Sequence, residues 1–197
     1  FNINHGDKIT LDFINCDRSD TATVLNGKFN FNGDVEIPSV AMLNYKGGGL
    51  LLLIDASTYN VSIAIMEEGH GRYSYGDTNI ETKSRFYHLW KSLGMAKGRL
   101  SNSKKELQDM LNKEGLGEME RVSYEMELEE VLDNLSNLYF KASIENPSSY
   151  EMTYLLPGAP DFSYSRYINY YNKLPDAIKN SYYGKYLYKR LLLTKPQ

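Results

Sequence analysis

The chain of 197 residues contains a single cysteine, Cys16. One thiol cannot form an intramolecular disulfide, a Cys-x-x-Cys redox pair or a cysteine-rich zinc site. Long apolar runs are also absent, because the longest covers only residues 50–54, against roughly 20 residues for a membrane-spanning helix. The net charge is only −3, so neither sign dominates. These absences argue against a redox site of paired thiols, a transmembrane segment and a nucleic-acid-binding surface.

Histidine is scarce, with three residues and no His-Glu-x-x-His motif. His70 could bind a metal together with Glu67 or Glu68, although a solvated loop is the plainer interpretation. Six glutamates near the start of the longest predicted helix could serve acid/base chemistry or hold a cation, although a solvated helix face is the plainer interpretation. They are Glu118, Glu120, Glu125, Glu127, Glu129 and Glu130. We predict no catalytic residue, no metal site, no cofactor and no enzyme activity, with a hydrolase built on these groups as a lower-ranked alternative.

Residues 20–38 organise the front half of the chain. At their centre Asn26-Gly27 has the composition of a two-residue type I′ turn, because Asn tolerates and Gly readily adopts the positive φ required at both positions. Strand-forming side chains precede this turn, and Phe29 and Phe31 alternate with polar residues after it. The pattern predicts a β-hairpin.

Further short strands are predicted on both sides of this hairpin. The segments with apolar alternation or a short apolar run are residues 9–13, 40–45, 50–54, 60–66 and 73–75. The alternation places Val61, Ile63 and Ile65 on an inner face. Residues 47–49 are three glycines between two strands, which predicts a turn, because a phosphate-binding loop would lead into a helix. Six or seven short strands predict an antiparallel β-sandwich or barrel-like sheet.

The apolar period changes to that of helices near residue 77. Residues 78–81 have the spacing of a capping box and predict a helix start, with Gly94 as its end. Residues 103–106 predict a second start, and residues 118–143 the longest helix, buried along most of its length. Asn146-Pro147 predicts the next start, and three more helices are predicted near residues 163–172, 175–180 and 182–193. The fold class is therefore α+β, with a β-sandwich domain at 1–76 and a helical region at 77–197 packed on it.

Tyrosine is unusually abundant: there are 17, of which 11 lie from Tyr139 onward. Rings that carry a hydroxyl suit sugar or protein recognition, and they suit the packing of helices against a sheet equally well. Packing is the plainer interpretation. The alternative function is a small-molecule or glycan binding protein whose site uses the tyrosines that share helical faces. These are Tyr164, Tyr167 and Tyr171 on one face and Tyr182 and Tyr186 on another, with Tyr170 nearby.

Residues 20–38 also resemble a known pattern: Asp-Ser/Thr, then Asn/Asp-Gly-Lys-Phe-x-Phe-x-Gly, then a Pro before the next strand. That pattern is typical of the domain-of-unknown-function 4369 family, which precedes thioredoxin-like (AhpC/TSA-type) domains in Bacteroidetes cell-envelope lipoproteins. Residues 76–79, 145–149 and 174–185 agree more loosely. The resemblance spans nearly the whole chain, and its motifs describe turns and helix caps.

The resemblance implies an exported protein held at the cell envelope by a lipidated cysteine upstream of Phe1. A start at Phe1 in place of Met fits a removed leader or a shortened chain. Family members usually continue into a domain with Cys-x-x-Cys, which does not occur before Gln197, and no family catalytic residue matches a position here. The expected function is a non-catalytic envelope module that binds or positions an unidentified protein or small-molecule partner.

Overall fold

A computed structural model describes residues 4–69 and 72–196. These residues form six β-strands followed by six α-helices, which confirms the predicted α+β class. The strands are β1 (Lys8–Phe13), β2 (Ser19–Thr23), β3 (Ser39–Tyr45), β4 (Gly48–Ile54), β5 (Tyr59–Gly69) and β6 (Arg72–Thr82). The helices are α1 (Arg85–Leu111), α2 (Glu118–Glu145), α3 (Tyr150–Leu155), α4 (Tyr164–Lys173), α5 (Asp176–Lys179) and α6 (Tyr182–Leu192). The chain divides into two compact units, Phe1–His88 and Leu89–Gln197, which we call the front and rear units.

Four strands of the front unit form an antiparallel sheet in the order β2-β1-β3-β4. Its register pairs Leu11 of β1 with Leu43 of β3, and Leu43 with Leu50 of β4. Apolar side chains therefore line up across one face. β5 and β6 form a separate two-stranded antiparallel sheet, the ribbon, in which Val61 pairs with Ile80.

The front core covers one face of the four-stranded sheet. Alternate residues of each strand point to this face, because the side-chain period of a strand is two. The buried members are Ile9, Leu11, Phe13, Val24, Ala41, Leu43, Tyr45, Leu52 and Ile54. Tyr59, Ile63 and Ile80 of the ribbon pack against the same cluster. The second layer of the front unit is thus a ribbon of two strands facing a sheet of four.

The turn at Asn26-Gly27 is present, but the predicted second arm of the hairpin is wrong. Both residues have positive φ, 52° and 73°, and Leu25 and Lys28 form a single bridge across the turn. Residues 29–38 then form no strand, and β2 pairs with β1. The reason is burial, because the aromatic side chains after the turn pack onto the core face of the sheet.

Residues 78–81 belong to strand β6, so the predicted helix start there is also wrong. Ile80 packs against the front core and pairs with Val61, and these non-local contacts override the local capping pattern. Helix α1 begins after Ser84, whose Oγ accepts a hydrogen bond from the amide of Tyr87 at 3.1 Å. That bond satisfies one of the free amides at the helix start.

Helix α1 runs without a break through Gly94 and through the second predicted start at residues 103–106. A glycine inside a helix costs about 1 kcal/mol relative to alanine. Leu93 and Leu107 are buried on either side of these positions, and their burial outweighs that cost. The predicted end at Gly94 and the second start are therefore wrong.

Helix α2 confirms the predicted longest helix, but it is buried only near its C-terminal end. Its buried residues are Tyr139, Ala142 and Ser143, whereas Met119 and Met126 are 89% and 67% exposed. The expectation of burial along most of its length is therefore wrong. An apolar stripe shows which face a helix can bury, and the lengths of the neighbouring elements decide how much of that face is covered.

The predicted helix start at Asn146 is displaced by three residues. Asn146 ends α2, and its amide donates to the carbonyl oxygen of Ala142 at 3.0 Å. Ser149 is the N-cap of α3, and its Oγ accepts from the amide of Met152 at 3.2 Å. The last helices lie close to their predicted positions. Side chains from α3 to α6 form the rear core, in which Met152, Leu156, Tyr167, Leu187 and Leu191 are fully buried.

Candidate binding cleft

A cleft of about 960 Å³ lies within the front unit. Its floor is the core face of the four-stranded sheet, at Leu11, Leu43 and Leu52. One wall is formed by residues 27–36, which we call the strap. The other wall is formed by residues 55–63, which connect β4 to β5 and include the first part of β5. This volume is near the upper end of the range for ligand pockets, roughly 300–1,000 Å³.

The strap leads out of the turn at Asn26-Gly27 and contains neither helix nor strand. The rings of Phe29 and Phe31 contact each other edge to face, with centroids 6.0 Å apart, and Val35 packs with them against the core. In the described part of the chain, residues 29–38 make no hydrogen bond between backbone groups. The strap is therefore held over the sheet by side chains, and it forms no ladder with a strand.

Arg18 fastens the strap to the sheet. Its Nη1 donates to the backbone carbonyl oxygen of Asp34 at 2.9 Å, and its Nη2 forms an ion pair with Asp20 at 2.7 Å. The guanidinium lies 4.7 Å from the centroid of the Phe13 ring. A Cβ on Gly33 would lie 2.5 Å from Nη2, so the glycine permits this close approach. These contacts fix the spacing between strap and sheet.

Asp55 anchors the opposite wall at the end of β4. Its Oδ1 accepts from the Tyr59 hydroxyl at 3.0 Å, and its Oδ2 accepts from the Ser84 hydroxyl at 2.7 Å. Partial burial alone would raise the pKa of Asp55, but hydrogen bonds from Ser57, Ser84 and Tyr59 outweigh it and hold the pKa below its ordinary value. Burial raises the pKa of Tyr59 to about 12. At neutral pH the charged carboxylate of Asp55 therefore accepts from the neutral hydroxyl of Tyr59, and this hydrogen bond connects the end of β4 to the start of β5.

The ionisable groups that line the cleft give it a net negative charge. Arg18 and Asp20 neutralise each other through their ion pair. The hydroxyl of Tyr59 is neutral at pH 7. The other ionisable side chains along the two walls are one cation, Lys28, and three anions, Asp34, Glu36 and Asp55. An occupant that carries positive charge is favoured by this balance.

The structure separates the three tyrosines of the α4 face. Tyr167 is fully buried. Tyr171 stacks on Tyr188 of α6, with ring centroids 4.9 Å apart, and Tyr164 lies 5.7 Å from Nζ of Lys195. Tyr167 and Tyr171 thus contact aromatic rings of the rear unit, whereas the plainer interpretation placed the tyrosines between helices and the sheet.

Tyr182 and Tyr186 lie on α6 and are 48% and 41% exposed. Tyr170 on α4 donates to the backbone carbonyl oxygen of Asn146 at 3.3 Å. None of these tyrosines lines the cleft or a second cavity of about 490 Å³ between α1 and α2. A glycan or small-molecule site on the tyrosines stays a prediction.

The other sequence candidates do not converge on a reactive centre within the described ranges. His70 lies outside the described residues, and the six glutamates of α2 are exposed. Among residues 4–69 and 72–196, no three His, Cys, Asp or Glu side chains lie close enough together to hold a metal. The turn predicted at residues 47–49 is displaced to Lys46-Gly47, which both have positive φ, and Gly48 and Gly49 begin strand β4. None of the described helices is both long enough and apolar enough to cross a membrane.

Sequence reasoning misses the cleft because the strap has the alternation of a strand. A signal against a strand is present in the same residues. Gly33 weakens a strand interior, and Pro38 cannot donate to a ladder. Alternating phenylalanines that must be buried without a ladder indicate a segment lying across a sheet face.

Comparisons of this chain with protein-family models, curated proteins and solved structures find no match. The resemblance of residues 20–38 to an envelope family therefore stays a prediction.

Proposed function

We propose that this chain is a non-catalytic binding module that holds a polypeptide partner in the cleft of its front unit. The cleft itself is the observation that supports this function. Half-buried apolar side chains line the cleft, such as Phe31 on the strap and Val61 on the opposite wall, and their burial against an apolar ligand contributes roughly 25 cal/mol per Å² of apolar surface. The net negative charge of the walls adds a preference for a cationic occupant.

The Ser84 hydroxyl, which lies 2.7 Å from the carboxylate of Asp55, is committed to structure. Ser84 donates to Asp55 and accepts from the amide of Tyr87, which begins helix α1. A serine nucleophile needs a base that can take its proton, whereas the depressed pKa of Asp55 makes this carboxylate a weak base. Cys16 is the only thiol in the chain and cannot alternate between dithiol and disulfide alone. Both features favour binding over catalysis.

We further propose a cell-envelope location, supported by the resemblance of residues 20–38 to the envelope lipoprotein family. The parent reading frame tests this location. A lipobox upstream of Phe1 and a Cys-x-x-Cys segment downstream of Gln197 are the expected findings. An upstream cytoplasmic domain in the same frame would contradict the proposal.

The binding function can be tested with a phage-displayed library of random linear peptides, selected on the purified chain. Val61 lies on the inner face of β5 and lines the cleft, so Val61→Trp fills the space that a ligand would occupy. We expect selected peptides to lose about tenfold or more in affinity for this variant, which corresponds to about 1.4 kcal/mol. Fluorescence anisotropy of labelled peptides measures the change.

Asn79→Trp is the matched control, because Asn79 is exposed on the neighbouring strand β6 and does not line the cleft. Affinity for this variant should stay within about twofold of wild type. The proposal fails if the library yields no specific peptide, or if both variants bind the selected peptides equally well. Thermal unfolding of both variants shows that the front unit remains folded.

A further inference from the structure

We infer that the partner binds as an added β-strand along the free edge of β5, beneath the strap. This inference depends on the proposed binding function and specifies its geometry. A strand that pairs with a sheet edge gains backbone hydrogen bonds from the edge and side-chain contacts from the surface below it.

The first observation is that β5 has a partner on one side only. In the described residues the ribbon contains β5 and β6 alone. In an antiparallel pair, about half of the amide and carbonyl groups of each strand point away from its partner. Residues 59–63 of β5 all line the cleft, so this edge borders the cavity.

The second observation is that the first part of this edge, which ends at the register shift between Ile63 and Ile65, carries neither charge nor proline. Exposed edges are normally protected by charged residues, proline or short strand length. Residues 59–63 have the sequence Tyr-Asn-Val-Ser-Ile, without charge or proline, and β5 is 11 residues long. The edge strand β2 differs, because it has only five residues and includes the charged Asp20.

The third observation is the shape of the cavity beside this edge. Five residues of extended chain span about 17 Å, and the edge at residues 59–63 has the same length. Alternate side chains of an added strand would point towards the floor of the cleft and meet half-buried apolar side chains such as Phe31 and Val35. An α-helix is roughly 10–12 Å wide and would leave the backbone groups of β5 unpaired.

The charge of the cleft specifies the occupant further. Because the walls carry Asp34 and Glu36 on the strap and Asp55 opposite, complementarity favours a segment with lysine or arginine among its outward residues. We therefore infer an extended segment with apolar residues at alternate positions and a net positive charge.

Peptides from the library selection test this geometry when they are N-methylated at one position at a time. Residues whose amides face β5 should each lose about tenfold or more in affinity on methylation. The intervening residues face away from β5 and should lose little, so sensitivity should repeat every second position. Hydrogen exchange should show added protection at residues 59–63.

The outcomes separate this inference from the binding function on which it depends. If selected peptides bind the chain and Val61→Trp lowers their affinity, the binding function stands. A methylation profile without a two-residue period would in that case overturn only the added strand. A profile that repeats every three or four residues, together with helical circular dichroism of the bound peptide, would also overturn it. A selection that yields no peptide overturns both.

Discussion

Gly184→Ala is expected to destabilise the rear unit by about 3 kcal/mol. A Cβ at this position would lie 2.0 Å from the carbonyl oxygen of Ile178 and 2.7 Å from that of Lys179. Both are backbone atoms and cannot rotate aside. The Ile178 carbonyl is held further because it accepts from the amide and the Oγ of Ser181, at 3.1 and 2.6 Å. Urea denaturation followed by circular dichroism measures the loss.

Gly98→Ala is the matched control for this substitution. Gly98 also lies in a helix of the rear unit, and a Cβ there has no neighbour within 4 Å. Alanine should raise the free energy of unfolding by about 0.5–1 kcal/mol, because it fits a helix better than glycine. Equal effects of the two substitutions would show that helix propensity, and not close packing at Gly184, decides the result.

Tyr167→Ala is expected to lower the free energy of unfolding of the rear unit by about 3–5 kcal/mol. The side chain is fully buried. Its ring stacks on Phe162 with centroids 5.7 Å apart and lies 6.2 Å from the ring of Phe140. Removal of the ring leaves a cavity between α2 and α4 that rigid neighbours cannot fill. Urea denaturation followed by circular dichroism measures this loss in the free energy of unfolding.

Two control variants show whether the stability comes from the buried ring of Tyr167, from its hydroxyl, or from any tyrosine ring of the rear unit. The hydroxyl donates to Asp161 over 3.5 Å, so Tyr167→Phe should cost less than about 1 kcal/mol. Tyr186→Ala removes a partly exposed ring of α6 and should cost less than about 1 kcal/mol. A loss at Tyr186 as large as that at Tyr167 would contradict the placement of the rear core.

The sequence predicts those turns and strands that depend mainly on neighbouring residues. Asn26-Gly27 forms its turn because both residues accept positive φ. Strands at 9–13, 40–45 and 50–54 follow from alternation or from a short apolar run, and their burial agrees with the pattern. The capping pattern at residues 78–81 failed because Ile80 gains more from the front core than a helix start gains from two capped amides.

The cleft could not be predicted in the same way because it arises from the arrangement of distant segments. Its walls come from residues 27–36 and 55–63, which are far apart in sequence. Whether the backbone of such a segment pairs with a strand, and with which one, depends on how many strands each layer of the front unit contains. The number of tyrosines does not show which of them bind a ligand. Of the five that share helical faces, Tyr167 is buried and Tyr171 stacks on another ring, so both take part in packing.

The strap has a consequence for how ligand preference could change during evolution. Pairing of β1, β3 and β4 fixes the order of the sheet without any backbone-to-backbone hydrogen bond from residues 29–38. Substitutions there alter the lining of the cleft while leaving the hydrogen-bonded scaffold untouched. Related copies of this domain could therefore diverge in the segments they recognise and still share a single framework.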